Sequence, residues 1–304
     1  MSPGQGPRAT IVAAAPAKVN LVLEVTGRRP DGYHALRSVM APLAFGDRLA
    51  VRVVARGRDR LTVRGLDAGP AAENLVLHAA ALLRAQARRP LPPLAFVLGK
   101  RIPVAAGLGG GSSDAATTLR LCDFLWETGL DTTELAAIGA ELGSDVPLFF
   151  SLPSAVIEGR GEQVSPVQLR WSGWVLLLCP PIPVSTAEVY RAFRPDDSAG
   201  FPSGTDRDIL HATSAAELSE LLSNHLETAV FRVCPSIYSL REALTFLDLP
   251  SVHVTGSGSA LYCLFDDPEP VLRAANKIQE RWSHVTTVVA AAPVGQGPIF
   301  YEEC

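Results

Sequence analysis

The sequence predicts an α+β protein of two domains, and three observations support this fold class. The first half alternates strand-like and helical segments around a glycine-rich loop at residues 103–116. At residues 165–183 several prolines surround an apolar strand, which is typical of a domain join. The second half mixes helices with β-branched strands. We therefore expect an N-terminal domain over residues 1–165 and a C-terminal α+β domain over residues 166–304.

In the first half, residues 11–27 and 47–57 read as strands, separated by a loop that contains Gly27, Pro30 and Gly32. Apolar residues at helical spacing predict a helix over 74–87. Further helices are predicted after the glycine-rich loop and over 133–142. The apolar residues 149–159 look extended again.

In the second half, residues 171–179 read as an apolar strand that precedes a proline-rich turn. Residues 195–208 are polar and poorly patterned. Helices are predicted near 215–229, 236–245 and 269–282, and strands at 252–255 and 285–291. No internal repeat is visible.

Composition excludes several function classes. Of the 304 residues, 47% are hydrophobic and 19% charged, and the formal net charge of −4 gives no electrostatic footprint for nucleic acid or an anionic membrane. No stretch approaches the roughly 20 apolar residues that span a bilayer, and the first ten residues lack a long apolar core, so we expect a cytoplasmic protein. The five cysteines are scattered, and neither they nor the six histidines show metal-ligand spacing.

Four glycines mark the central loop, namely Gly107, Gly109, Gly110 and Gly111. Glycine can adopt positive φ and bring backbone N–H groups close to an anion. The loop is not a P-loop, because Gly111 is followed by Ser112 where that motif needs a lysine. A dinucleotide fingerprint also fails, since the sixth position from Gly107 is Ser112 and not glycine.

Three residues of helix-capping type, Ser112, Ser113 and Asp114, follow the glycines, and residues 115–129 are helical in pattern. A flexible linker has no reason to open a helix in this way. The loop is therefore expected to deliver the phosphates of a nucleoside triphosphate to a helix N-terminus, which carries partial positive charge.

Three other segments carry possible chemistry. Lys18 and Asn20 share one face of an apolar strand, and a partly buried ammonium there needs a carboxylate or phosphate partner. Asp145 lies in a tight turn, where a helix cap or turn former is the simpler interpretation of the residue taken alone. The small residues 254–260 could close over phosphates or simply turn.

Taken together, these segments resemble the GHMP kinases over nearly the whole chain. The motif PxxxGLGGGSSDAA at residues 103–116 resembles the phosphate loop of that family. AKVNLVLEV at 17–25, RRPDGYH at 28–34 and STAEVY at 185–190 resemble a branch that acts on a cytidine diphosphate-linked methylerythritol, rather than on mevalonate, galactose or homoserine.

The resemblance implies a ribosomal-protein-like α/β sandwich, followed by a ferredoxin-like α+β domain, with the active site in the cleft between them. It implies ATP-dependent phosphorylation of the substrate's 2-hydroxyl, on the non-mevalonate route to isoprenoid precursors. Any Mg²⁺ would arrive with the nucleotide, without a metal site built by the protein. The partners would be these small molecules, with no nucleic acid and no membrane, and the protein would be a monomer or homodimer.

The resemblance also implies a role for each matching residue. Lys18 and Asp145 would be the catalytic pair. ATP would contact two groups of residues, the glycine-rich loop and an adenosine pocket: Pro103, Val104, Ala105, Ala106, Gly107, Leu108, Gly109, Gly110, Gly111, Ser112 and Ser113 in the loop, and Asn74, Leu75 and Lys100 in the pocket. The substrate would contact Asn20, Tyr33, His34, Thr186, Tyr190, Gly256, Ser257 and Gly258. Tyr33 and Tyr190 would sandwich the cytosine, and His34 would bind its edge.

Two alternatives stay open. The chain could be a related GHMP kinase with another alcohol substrate, or a non-catalytic nucleotide-binding sensor. The presence of Lys18, Asp145 and the whole glycine-rich loop argues against a sensor. Tyr33, His34 and Tyr190 argue against other substrates.

Overall fold

The computed structural model describes residues 10–151, 153–198, 206–292 and 300–303. The elements up to residue 167 are β1 (Thr10–Arg28), β2 (His34–Val53), β3 (Arg60–Gly65), α1 (Leu75–Gln86), β4 (Leu94–Lys100), α2 (Gly110–Trp126), α3 (Thr132–Leu142), β5 (Ser154–Gly159) and β6 (Gln163–Val167).

The later elements are β7 (Gly173–Cys179), α4 (Thr186–Ala192), α5 (Asp206–His211), α6 (Ala215–Leu221), β8 (Ser223–Asn224), α7 (Glu227–Val233), α8 (Pro235–Leu244), β9 (His253–Val254), β10 (Leu261–Phe265), α9 (Pro268–Arg281), β11 (Thr286–Ala292) and β12 (Phe300–Glu303). No helix in the described ranges is long and apolar enough to cross a membrane.

The described strands form two sheets. The first has the order β12-β1-β2-β4-β3, with β5 on the other half of β2, β6 beside β5, and β8 parallel to β1. The second has the order β11-β7-β10-β9 and is antiparallel throughout. Residues 165 and 166 lie within β6, and β8 and β12 join the first sheet. The division into residues 1–165 and 166–304 stays a prediction.

The second sheet is buried on both faces, which explains the continuous apolar run of β7. Val175 and Leu177 pack with residues of β1 and β2, whereas Leu176 and Leu178 pack with the helices of the second half. Because side chains alternate along a strand, one face of β7 closes the first sheet and the other carries the helical layer. α1, α2 and α3 cover the remaining core of the first sheet.

Local signals fix several helix ends. The Asn74 side chain accepts the N–H of Val76 at the start of α1. Asp131 and Glu134 form a reciprocal capping box at the start of α3. α9 buries Val271 and Ile278 on one stripe, as an amphipathic helix does.

Three sequence predictions of secondary structure are wrong, and the first is the loop expected between residues 27 and 47, because β2 already begins at His34. The helix expected over 215–229 is interrupted, because residues 223–224 pair with β1 and the Asn224 side chain bonds Val254, Gly256 and Leu226. The extended segment expected over 149–159 begins only at Ser154, since Pro147 opens a 3₁₀ turn over Pro147–Phe150. β3, β4, β6 and β10 were not expected at all.

His253 makes stability depend on pH. Burial lowers the pKa of His253 to about 4, with Arg241 nearby further opposing the cation, and its Nε2 is buried without a hydrogen-bond partner. The unfolded side chain titrates near pH 6.5. The contribution of His253 to the free energy of unfolding is therefore fully present above about pH 6.5. It is lost as the pH falls toward 4, by up to about 1.4 kcal/mol per pH unit.

We expect His253→Gln to reduce the decrease in the free energy of unfolding between pH 7 and 4, relative to the parent, as measured by urea unfolding. The exposed His284 is the matched control, and His284→Gln should show the same decrease as the parent. An unchanged slope in His253→Gln would refute the assignment.

Candidate active site

A cleft of about 1050 Å³ gathers the residues that the sequence singled out. All of them line it except Ser113 and Gly258. The lining members of that set are Lys18, Asn20, Tyr33, His34, Asn74, Leu75, Lys100, Pro103, Val104, Ala105, Ala106, Gly107, Leu108, Gly109, Gly110, Gly111, Ser112, Asp145, Thr186, Tyr190, Gly256 and Ser257. They come from both halves of the chain, so the cleft lies between them.

Lys18 and Asp145 meet in this cleft. Lys18 Nζ lies 3.9 Å from Asp145 Oδ2, and the side chains are 4% and 36% exposed. Burial lowers the pKa of Lys18, while the charge of Asp145 opposes that shift. Lys18 Nζ also donates to Asn20 Oδ1 at 2.6 Å. A buried ammonium is thus placed beside a carboxylate that solvent and ligands can reach.

β1 places Lys18 in the cleft because the strand is irregular there. The pairing of β1 with β2 shifts register between Pro16 and Lys18, and again between Asn20 and Val22. Ile11 packs in the core under the helices, whereas Val19, at the same parity, packs against the second sheet. A bulge rotates the strand in this way, so it re-aims the even-numbered side chains toward the cleft.

Asn20 ties the two halves of the chain together at the cleft floor. Its Nδ2 donates to Ser38 Oγ, its backbone N–H donates to Thr255 Oγ1, and Tyr262 OH donates to its carbonyl. Tyr262 and Thr255 are themselves buried. Sequence reasoning placed Asn20 at the substrate but missed these partners, because Thr255 and Tyr262 lie more than 230 residues away.

The glycine-rich loop packs closely against its surroundings at two positions. Gly107 has φ of +75°, and a Cβ there would lie 2.3 Å from the carbonyl oxygen of Thr255. Gly109 has φ of +70°, and its Cβ would lie 3.0 Å from Cγ of Lys18. Any larger residue would therefore be strained and would push against either the loop after β9 or the lysine.

The start of α2 differs from the sequence prediction. Gly109 is the N-cap residue and the helix begins at Gly110, so Ser112, Ser113 and Asp114 lie inside the helix rather than at its cap. Ser113 is fully buried and does not line the cleft. The helix still opens at the loop, because glycine in the left-handed region performs the turn that a capping side chain was expected to make.

Lys100 is held by two buried carboxylates. Its Nζ donates to Asp47 Oδ2 at 2.5 Å and to Asp114 Oδ2 at 2.8 Å. Burial raises the pKa of Asp114 to about 7, against the attraction of Lys100. Although burial disfavours the ammonium, the two carboxylates keep the pKa of Lys100 above its ordinary value. This cluster joins β2, β4 and α2 beneath the loop. Lys100 therefore makes hydrogen bonds that stabilise the fold, and it also lines the cleft.

The opposite end of the cleft is aromatic. His34 stacks on Tyr190 with ring centroids 5.3 Å apart, and Phe193 meets His34 edge-on at 5.8 Å. Tyr33 is 59% exposed, and the guanidinium of Arg160 stacks on its ring. Burial lowers the pKa of His34, with Arg28 adding to the shift, so the imidazole is neutral at pH 7 and can both donate and accept a hydrogen bond.

The remaining predicted residues have mixed surroundings. Thr186 Oγ1 lies 2.8 Å from Ser257 Oγ and so links α4 to the loop after β9. Asn74 caps α1 with its side chain. Gly258 does not line the cleft and packs instead on Val230, which a Cβ there would meet at 3.0 Å.

Several lining residues were missed from the sequence. Phe193 follows Tyr190 by three residues, at the C-cap of α4, a spacing that could have indicated it. Arg28 and Arg191 adjoin residues already singled out. Arg160 had no such signal, because the β5–β6 turn reaches the cleft only through sheet pairing.

Oxygen donors that suit Mg²⁺ are present beside the glycine-rich loop. Ser112 lines the cleft, and Asp114 Oδ1 has no hydrogen-bond partner there. In the described ranges, no three His, Cys, Asp or Glu side chains are grouped to hold a metal ion. This donor set fits a metal ion bound largely by nucleotide phosphates, with one or two protein oxygens.

Family models match both halves of the chain. The GHMP kinases N terminal domain matches residues 74–151, and the GHMP kinases C terminal model matches residues 208–284. The first model spans the helix α1, the glycine-rich loop and Asp145.

Curated relatives cover most of the chain. A 4-diphosphocytidyl-2-C-methyl-D-erythritol kinase of Pelotomaculum thermopropionicum is 38% identical over 269 residues, 87% of this chain and 92% of the relative. The enzyme of that name from Exiguobacterium sibiricum is 36% identical over 270 residues, covering 89% and 94%.

Solved structures share the whole fold. A crystal structure of 4-(cytidine 5'-diphospho)-2C-methyl-D-erythritol kinase superposes with a TM-score of 0.77 at 34% identity, over 93% of this chain and 100% of that one. Homoserine kinase from Cytophaga hutchinsonii gives a TM-score of 0.73 at 14% identity over 99% of each chain, a likeness of fold alone.

Replacing Lys100 tests the buried cluster beneath the loop. We expect Lys100→Met to lower the free energy of unfolding by about 3–5 kcal/mol, since Asp47 and Asp114 would be left buried without their cation. The measurement is urea unfolding at pH 7. Lys277 is exposed on α9, and Lys277→Met should change stability by less than about 0.5 kcal/mol.

The contrary outcome would be a Lys100→Met protein of parent stability that no longer binds ATP. Lys100 would then act mainly on the nucleotide.

Proposed function

The chain belongs to the GHMP kinases, and we propose that it transfers the γ-phosphate of ATP to the 2-hydroxyl of 4-diphosphocytidyl-2-C-methyl-D-erythritol. GHMP kinases use ATP. Relatives that bear this activity in their name are 34–38% identical over most of the chain. The product would be the 2-phosphate, an intermediate of the non-mevalonate route to isoprenoid precursors.

One observation carries the proposal. Lys18 and Asp145 lie 3.9 Å apart in the same cleft that holds a glycine-rich helix start on one side and an aromatic cluster on the other. The cleft therefore offers a phosphate cradle, a base and a surface for a flat ring. These are the three parts that phosphorylation of a cytidyl alcohol requires.

In the proposed reaction, Asp145 accepts the proton of the substrate's 2-hydroxyl. An aspartate is a weak base toward an alcohol, so proton transfer would occur late, as the phosphoryl group moves. Lys18 would hold the carboxylate in place and neutralise charge on the γ-phosphate. Its burial strengthens that electrostatic interaction, because water does not screen it.

The ATP phosphates would lie on the backbone N–H groups at the start of α2, where the helix dipole is positive. Gly107 and Gly109 allow the loop to take this path, because both have positive φ and a Cβ at either position would meet Thr255 or Lys18. Mg²⁺ bound to the nucleotide supplies neutralisation of phosphate charge and would be held by Ser112 and Asp114 oxygens. Pro103, Val104 and the other loop residues, with Asn74 and Leu75, would contact the rest of the nucleotide.

The cytosine would bind at the aromatic end of the cleft, against Tyr33 and Tyr190. Because His34 already stacks on Tyr190, the ring would have to enter beside His34 or displace it. A neutral His34 suits recognition of the base edge, since it offers one donor and one acceptor. Asn20, Thr186, Gly256 and Ser257 would contact the rest of the substrate, whereas Gly258 lies outside the cleft.

The proposal extends to organisation. Residues 1–165 would supply the ATP-binding and catalytic groups, and residues 166–304 would complete the substrate side. A monomer or homodimer in the cytoplasm would be sufficient, because the cleft contains all proposed catalytic groups in one chain.

An ATP-consumption assay tests the function directly. With Mg²⁺, we expect turnover of 4-diphosphocytidyl-2-C-methyl-D-erythritol but not of mevalonate or homoserine. Asp145→Asn should reduce kcat by on the order of 10²–10⁴-fold while leaving ATP affinity nearly intact. The change preserves side-chain size, so circular dichroism should match the parent.

Turnover of another alcohol would support the proposed phosphoryl transfer but refute the proposed substrate. No turnover with any of the three would favour a nucleotide-binding sensor. Loss of ATP binding in Asp145→Asn, with full kcat at saturation, would make Asp145 a structural residue.

Tyr190→Ala tests the base-binding end. We expect KM for the cytidyl substrate to rise about 5- to 100-fold, since stacking on an aromatic ring contributes roughly 1–3 kcal/mol per base. KM for ATP should stay within about twofold. Tyr33→Ala should behave similarly, whereas Tyr238→Ala, on the exposed face of α8 outside the cleft, is the control and should change neither value. Equal increases for both ligands would contradict a base-specific role.

A further inference from the structure

The turn between β5 and β6 carries Arg160 to the aromatic end of the cleft. Gly159 and Gly161 flank it with φ of +76° and +125°, so the turn depends on glycine on both sides. The Arg160 N–H donates to Glu162 Oε2, which fixes the backbone. Arg160 is half-buried and lines the cleft.

The guanidinium of Arg160 lies over Tyr33. Its Cζ is 4.8 Å from the centroid of the Tyr33 ring. A guanidinium stacked on an aromatic ring keeps the N–H donors at its edge available. The stacking therefore orients Arg160 and leaves its hydrogen-bonding edge available for a ligand.

The nearby carboxylates pair with a different arginine. Arg29 lies 3.1 Å from Asp31 and 3.5 Å from Glu162. In the described part of the chain, no carboxylate lies within 4 Å of the Arg160 guanidinium. Arg160 therefore makes no direct ion pair with a described residue, although its charge also acts on Asp31 and Glu162 from a longer distance.

Two further arginines accompany Arg160 at this end of the cleft. Arg28 pairs with His34 across β1 and β2, and Arg191 follows Tyr190 on α4. Among the described acidic side chains that line the cleft, Glu73 and Asp114 lie near α1 and the glycine-rich loop, whereas Asp145 pairs with Lys18 and is close enough to Tyr190 for its charge to act on the phenol. Three arginines therefore line the cleft beside the proposed base-binding rings, in a chain whose net charge is −4.

We propose that Arg160 binds the diphosphate of the cytidyl substrate through its guanidinium edge while it stacks on Tyr33. The inference rests on the proposed function, because it assumes that the cytosine binds at Tyr33. Guanidinium matches two phosphate oxygens at once, which a lysine does not. Arg160 would then distinguish a diphosphate-linked alcohol from one without phosphates, with Arg28 and Arg191 adding to the positive potential.

Calorimetric titration with cytidine 5'-diphosphate and with cytidine separates this role from base binding. We expect Arg160→Ala to lower the affinity for cytidine 5'-diphosphate by on the order of 10- to 100-fold, because a pair of charge-assisted hydrogen bonds would be lost. Affinity for cytidine should fall by less than about threefold, and affinity for ATP should not change. Arg160→Lys should recover only part of the loss. The diphosphate affinity of Arg160→Ala should also depend less steeply on salt.

Arg56→Ala is the matched control. Arg56 is exposed in the loop between β2 and β3 and lies outside the cleft, so its removal changes net charge equally without touching the proposed contact. Its affinities should match the parent.

The outcomes separate the inference from the function. If the parent turns over the cytidyl substrate but Arg160→Ala weakens cytidine and its diphosphate equally, Arg160 only positions Tyr33 and the inference is wrong. If neither affinity changes, it is also wrong, with the function intact. A parent that neither binds the diphosphate nor turns over the substrate would refute the proposed function, and this inference with it.

Discussion

The buried ammonium of Lys18 is the constraint on which the rest of the site depends. A lysine that is 4% exposed is costly unless polar and charged partners compensate, and here the Asn20 amide oxygen and the Asp145 carboxylate lie beside its ammonium. Holding it there requires a bulged β1, a glycine at position 109 that gives it room, and a second sheet that seals the strand from behind. The bulged path of β1 is therefore required both by the packing of the fold and by the proposed chemistry.

A second buried ammonium supports the first. The chain has three lysines, and two of them, Lys18 and Lys100, line the cleft. Lys100 clamps Asp47 and Asp114, so it joins the sheet to the start of α2, and Asp47 also accepts the N–H groups of Arg101 and Ile102. This network fixes both ends of the glycine-rich loop. A preorganised loop needs little rearrangement when phosphates bind, which is how such sites gain electrostatic stabilisation.

Much of the fold followed from local pattern, and the failures have a common cause. α1, α2, α3 and α9 were expected within a few residues, because apolar periodicity and capping residues are local signals. The helix predicted over 215–229 was interrupted because Asn224 bonds the distant loop after β9. β2 begins at His34, well before the strand expected at 47–57, because long pairing with β1 imposes extended backbone on a sequence of weak pattern. Tertiary contacts overrode local preference in both places.

By itself, the sequence determined the phosphate loop, the pairing of Lys18 with an acid, and the membership of Tyr33, His34 and Tyr190 in one proposed site, since these depend on residue type and motif spacing. Only the tertiary structure decided that His34 stacks on Tyr190, that Lys100 is clamped between carboxylates, and that Arg160 reaches the cleft. Each of these contacts joins residues that are distant in sequence and that meet through strand pairing or through packing of the two halves of the chain. Their geometry is set by how sheets and helices pack, which no local pattern in the chain encodes.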